Sequence, residues 1–152
     1  MKRFQFRLQA LLNYKKHLEE MARQEMAKAV ARVNACEEQI QALAQDRRNA
    51  ADSLETRVEK GIGSGEFKQY HGFIAAMDQM LVIQKKTKQR LERELAEKRS
   101  MLAKRTIDKR AMERLREKRA EEYTQEMLKE EQKVLDEVAS LKRVRELADD
   151  IQ

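Results

Sequence analysis

The chain has 152 residues, of which 39% are charged, 41% hydrophobic and 5% aromatic, with four glycines and neither proline nor tryptophan. So many charges and so few aromatics exclude a large compact core, while the apolar share and the lack of proline exclude a disordered chain. The net charge of +6 raises nucleic acid and anionic surfaces as partners, and the one cysteine excludes an internal disulfide framework and suits a reducing compartment. No run approaches the ~20 apolar residues of a membrane-spanning helix.

The chain opens on MKRFQFRLQALLNYKK, basic throughout, with Lys2, Arg3, Arg7, Lys15 and Lys16 and no acid. Gln5, Arg7 and Gln9 interrupt its apolar character and no small-residue cleavage site follows, so a secretory signal is not expected. From about Phe4 to Glu59, steps of three and four meet Leu8, Leu11, Lys15, Leu18, Ala22, Met26, Ala29, Val33, Cys36, Ile40, Leu43, Arg47, Ala50 and Leu54. Only Lys15 and Arg47 break this apolar series. It predicts a helix with a heptad seam, carrying a stutter at Leu18–Ala22–Met26. Cys36 sits in the seam as a small apolar residue.

The stretch KGIGSGEFKQYHGFIAAMDQM, Lys60–Met80, holds all four glycines. Gly61 is placed to end the first helix in a left-handed conformation, and Ser64 to cap the second. A turn over residues 60–65 makes the helices antiparallel neighbours. Gly72 reads either as a tolerated helix defect or as a close-approach point for a partner. The second helix, about 66–149, carries a seam of Phe67, Tyr70, Ile74, Met77, Leu81, Gln84, Lys88, Leu91, Leu95, Lys98 and Leu102. The seam weakens near Met112 and Leu115 and recovers at Tyr123, Met127, Val134, Val138 and Leu141. At ~1.5 Å per residue the helices span roughly 85 and 125 Å, which brings Phe4 near Glu122 and leaves everything past Tyr123 without an intramolecular partner. The expected fold is all-α: a monomeric two-helix antiparallel coiled coil, an α-helical hairpin forming a single domain over residues 1–152, with an overhanging C-terminal segment.

The hairpin lays the basic N-terminal segment beside Lys109, Arg110, Arg114, Arg116, Lys118 and Arg119. The result is either a solvated coiled-coil face or a surface for an anionic partner. The following EEYTQEMLKEEQKVLDE is net acidic. A basic helical nucleic-acid binder is one alternative, but no recognised motif or stacking platform supports it and no nucleic acid is expected. The face of Phe4, Leu8, Leu11 and Leu12 could meet a membrane surface; hairpin packing is the favoured use. His17 and His71 are isolated surface positions, no Cys/His cluster has metal spacing, and GIGSGEF lacks the phosphate-loop pattern. No catalytic residue, cofactor or metal is expected.

Three stretches look familiar together: Phe4-x-Phe6-x-Leu8-x-x-Leu11-Leu12, Cys36-Glu37-Glu38-Gln39-Ile40, and Gly61-Ile62-x-Ser64 with Phe67, Tyr70 and Phe73-Ile74 after it. To about Arg90 the chain resembles the bacterial flagellar export protein family FliJ. The resemblance implies a non-enzymatic cytoplasmic component of the flagellar type III protein export apparatus, peripheral to the inner membrane, serving flagellum biogenesis, motility and chemotaxis. Proteins of this kind resemble the stalk of rotary ATPases. They enter the hexameric export ATPase, contact the cytoplasmic domain of the membrane export gate and help handle export chaperones. The resemblance implies gate binding through Gln39, Leu43, Phe73, Met77, Met80 and Gln84, although Asp46 and Ala50 stand where the family pattern has aromatics. Leu43 and Met77 also lie on the seams. A stalk entering a ring with its open end implies ATPase binding by Lys2, Arg3, Arg7, Arg110, Arg114 and Arg116, joined by Val134, Val138 and Leu141. A coiled-coil scaffold of a related secretion system is the remaining alternative.

Overall fold

A computed structural model describes residues 3–151. The chain forms an antiparallel α-helical hairpin of α1, Gln9–Lys60, and α2, Ser64–Asp149. Between them lie three residues. Gly61 takes φ 89°, and its N–H donates to the Val58 carbonyl at 3.2 Å, closing α1 in the left-handed conformation that glycine adopts without a Cβ penalty. The Phe67 N–H donates to the Gly63 carbonyl at 3.0 Å. Gly63, rather than Ser64, therefore supplies the first acceptor of α2 and holds the capping position.

The first helix starts five residues later than its apolar series suggests. Residues 3–6 are not helical, and α1 has no acid in its first turn to offset the positive end of its dipole. Phe4 and Phe6 are half-buried while Arg3, Gln5 and Arg7 are exposed. That is the period-two alternation of an extended strap.

Two compact units divide the chain, Met1–His17 with Thr106–Gln152, and Leu18–Arg105. In the first, Leu12 is fully buried at 0% exposure, the Phe4 and Tyr123 rings lie 5.6 Å apart, and Lys15 pairs with Asp108 at 4.0 Å. Leu8 and Leu11, expected in the seam, are exposed; Leu12 takes the position. From Leu128 to Ile151 every residue of the chain is exposed.

In the second unit the core is Glu19, Ala22, Ala29 and Cys36 of α1 with Met77 and Leu95 of α2. The burial of Glu19 removes the expected stutter. Buried and half-buried positions follow Leu12, Lys15, Glu19, Ala22, Met26, Ala29, Val33, Cys36 and Ile40 in unbroken alternating steps of three and four. The charged Glu19 occupies a heptad position that an apolar count passes over in favour of Leu18. Its carboxylate accepts from Arg23 at 3.0 Å. Phe67, also expected in a seam, is exposed and stacks on His71 at 6.3 Å.

Candidate partner-binding surfaces

Polar residues inside the two seams pair across the hairpin. Within Leu18–Arg105, Glu25 meets Lys98 at 3.9 Å, Glu37 meets Lys88 at 2.5 Å, Arg57 meets Glu66 at 2.7 Å, and Arg47 meets Asp78. The Cys36 thiol lies 3.6 Å from the Gln84 carbonyl and 3.7 Å from its side-chain oxygen. The Lys88 ammonium donates to Glu37 and holds that carboxyl below its usual range, while the Glu37 carboxylate raises Lys88 above the usual lysine range. Asp78 likewise raises Arg47. These pairs fix the register of α1 on α2 and thereby decide which side chains are left facing solvent.

The Glu37–Lys88 and Arg47–Asp78 pairs bracket one surface and set Leu43 level with the turn of α2 that begins at Met80. Here Met80 is 48% exposed, Gln39 is exposed, and Leu43 and Gln84 are half-buried, while Phe73, 52% exposed, lies just beyond Asp78 toward the tip. Met77 stands apart from them: it is 6% exposed and belongs to the core. The sequence reading missed Ile83, 61% exposed. Phe73, Ala76, Met80 and Ile83 recur in steps of three, four and three, a second apolar stripe roughly a quarter turn round α2 from the seam. That spacing was the available signal, and the stronger seam beside it masked it. Gly72 is exposed next to this stripe with open space around its Cα.

The second surface lies in the unit formed by the chain's two ends. Arg3, Arg7, Arg110, Arg114 and Arg116 are all exposed, and among the described residues none of them has a carboxylate partner. Lys2 lies outside the described residues. Asp108, which the charge count left out, neutralises Lys15 here. The strap and α2 enclose a groove of about 700 Å³ lined by Arg3, Phe4, Phe6, Leu115, Arg119 and Tyr123. Further along α2, Val134, Val138 and Leu141 are 58%, 58% and 62% exposed, an apolar face that no other described part of the chain covers.

His17 and His71 are both exposed, and no group of three or more metal-ligating side chains occurs among the described residues. No described helix is long and apolar enough to cross a membrane. What the two surfaces offer is contact: aromatic and thioether side chains in one, guanidinium groups and aliphatic side chains in the other. No curated protein and no solved structure matches the chain. The flagellar FliJ protein family matches residues 4–147, which takes in nearly all of both helices and both surfaces, and the chain belongs to that family of flagellar protein export components.

Proposed function

We propose that the protein is a non-enzymatic coiled coil that links the flagellar export ATPase hexamer to the cytoplasmic domain of the export gate and assists export chaperones. It would do so from the cytoplasmic face of the inner membrane. Family membership supplies the setting. The observation that carries the finer reading is the chemistry of the two exposed surfaces, each confined to one compact unit. The stripe holding Phe73 and Met80 suits a hydrophobic contact with the gate, because exposed aromatic and methionine side chains are the usual anchors of such interfaces. The guanidinium cluster of Arg3, Arg7, Arg110, Arg114 and Arg116 suits an acidic lining in the ATPase ring, where charge complementarity steers association.

Charge reversal tests the ATPase end. Arg110→Glu, Arg114→Glu and Arg116→Glu together should weaken association with the export ATPase about tenfold at low salt, and less at high salt because exposed charges are screened. The hairpin should keep its helicity, since these exposed arginines make no ion pair among the described residues. Undiminished ATPase association at low salt would remove this assignment.

A further inference from the structure

Beyond Met127, α2 continues as a single helix whose apolar residues follow the same heptad path as the seam before them. Tyr123 and Met127 are half-buried, Tyr123 against the Phe4 ring. Val134, Val138 and Leu141 come next on the same stripe, and they are exposed only because α1 and its strap do not extend that far. The uncovered stripe is thus a continuation of an existing helix–helix interface. The edge of that stripe is acidic. Glu126, Glu130 and Glu137 line one side of it at helical spacing and Glu131 falls within it. All are exposed, and among the described residues none is paired with a base. Of the segment's two bases, Lys133 shares that edge, seven residues after Glu126 and between Glu130 and Glu137, and leaves it net acidic; Lys129 lies further round the helix. A shallow groove of about 440 Å³ between Met127, Val134 and Leu135 has Glu130 and Glu131 as its only polar lining.

We propose that this segment, about Glu126–Leu141, is a docking face for a basic amphipathic helix of a partner protein. The helix would take over the place of α1 along α2, with an apolar stripe against Val134 and Val138 and lysines or arginines opposite Glu126, Glu130, Glu131 and Glu137. This refines the proposed ATPase-binding end by separating two surfaces of opposite sign: the arginine cluster takes an acidic partner surface, and the face beyond it takes a basic one. Self-pairing fits less well. A parallel second copy would set Glu131 against Glu131 and Arg145 against Arg145 in the same stripe.

The full-length chain tests this with synthetic helical peptides of about 21 residues, three heptads with leucine at the a and d positions, and either lysine or glutamate on the flanks. The protein carries +6, so non-specific attraction would favour the glutamate peptide. Docking at the acidic edge requires the lysine peptide to bind at least about tenfold tighter by fluorescence anisotropy. Hydrogen exchange should slow over Glu126–Leu141. Replacing Glu126, Glu130 and Glu137 by lysine should invert the preference, and Val134→Ser with Val138→Ser should weaken the lysine peptide about tenfold with helicity retained. Tighter binding of the glutamate peptide overturns the proposal. So does lysine-peptide binding that ignores both sets of substitutions, or a stable dimer in sedimentation that protects the same segment. The charge reversal of Arg110, Arg114 and Arg116 leaves this segment intact. A failed ATPase experiment beside a successful peptide experiment would therefore remove only the functional reading.

Discussion

Ala22, Ala29 and Cys36 repeat every seventh residue along α1 and are 8%, 3% and 4% exposed. At these layers α1 contributes short side chains and α2 longer ones, with Leu95 level with Ala29 and Gln84 against Cys36. Space, rather than hydrophobicity, is then the limiting quantity. Ala29→Leu adds apolar surface yet should destabilise the hairpin by about 1–3 kcal/mol, as measured by chemical denaturation, because the helices must part to admit it. The converse holds at Leu12, where truncation to alanine leaves a void and should cost about 3 kcal/mol. Gly72 stands in open space inside α2, so Gly72→Ala should raise the thermal midpoint, with a gain of about 1 kcal/mol. If the same substitution also weakens gate binding, the small residue is there for a partner's approach. Phe73→Ala should weaken gate binding and leave the far-ultraviolet circular dichroism unchanged, since half of that ring is exposed; Met77→Ala should lower the melting point first.

The helices were readable from the chain because their heptads run long and their breakers are confined to one turn. Where the reading erred, it erred by treating polarity as a defect. Lys15, Arg47, Lys88 and Lys98 interrupt the apolar series, and each turns out to be one end of an ion pair to the other helix. Gln84 reaches the other helix too, its side-chain oxygen accepting from the Cys36 thiol. Glu19 shows the cost of the error, since avoiding it produced a stutter the helix does not have. The strap at residues 3–6 was missed for a different reason: Leu8 and Leu11 continue a helical period backwards, and the short alternation of Phe4 and Phe6 was too brief to compete. Both ends of the Glu37–Lys88 pair titrate in ways that can be checked. Glu37 has its folded pKa below 4.5, so its contribution is fully present above that value and is lost as pH falls through the lowered one. Lys88 lies above 10.5 when folded, so its contribution is present below that value and is lost as pH rises through the raised one. Thermal midpoints should be flat between these limits and fall outside them. Glu37→Gln should flatten part of the acid limb, and salt should shrink the effect because both groups are solvated.

For the molecule as a whole, signs of charge are ordered along the chain as well as counted. Lys15, Glu25, Glu37, Arg47 and Arg57 of α1 meet Asp108, Lys98, Lys88, Asp78 and Glu66 of α2. Every pairing is complementary. A slip of α1 by one pair would set Lys15 near Lys98 and Glu37 near Asp78, so alternative registers carry like-charge contacts. Exchanging the charges of Arg47 and Asp78 one at a time should lower the melting point, and exchanging both should restore most of it. The hairpin agrees with what the chain's periodicity implied, and the family match with the resemblance carried by the N-terminal and tip patterns; which side chains face solvent did not follow from periodicity, because it depends on how pairs such as Glu37–Lys88 set the register. That register also constrains how the gene can change. A seven-residue insertion between Glu37 and Arg47 would need a matching insertion between Asp78 and Lys88 to keep both pairs. After Leu128 no such partner exists among the described residues, so insertions and deletions of whole heptads there should leave thermal stability unaltered. Length variation among descendants of this chain is therefore expected to accumulate near its carboxyl terminus, where reach can be altered without disturbing the paired helices.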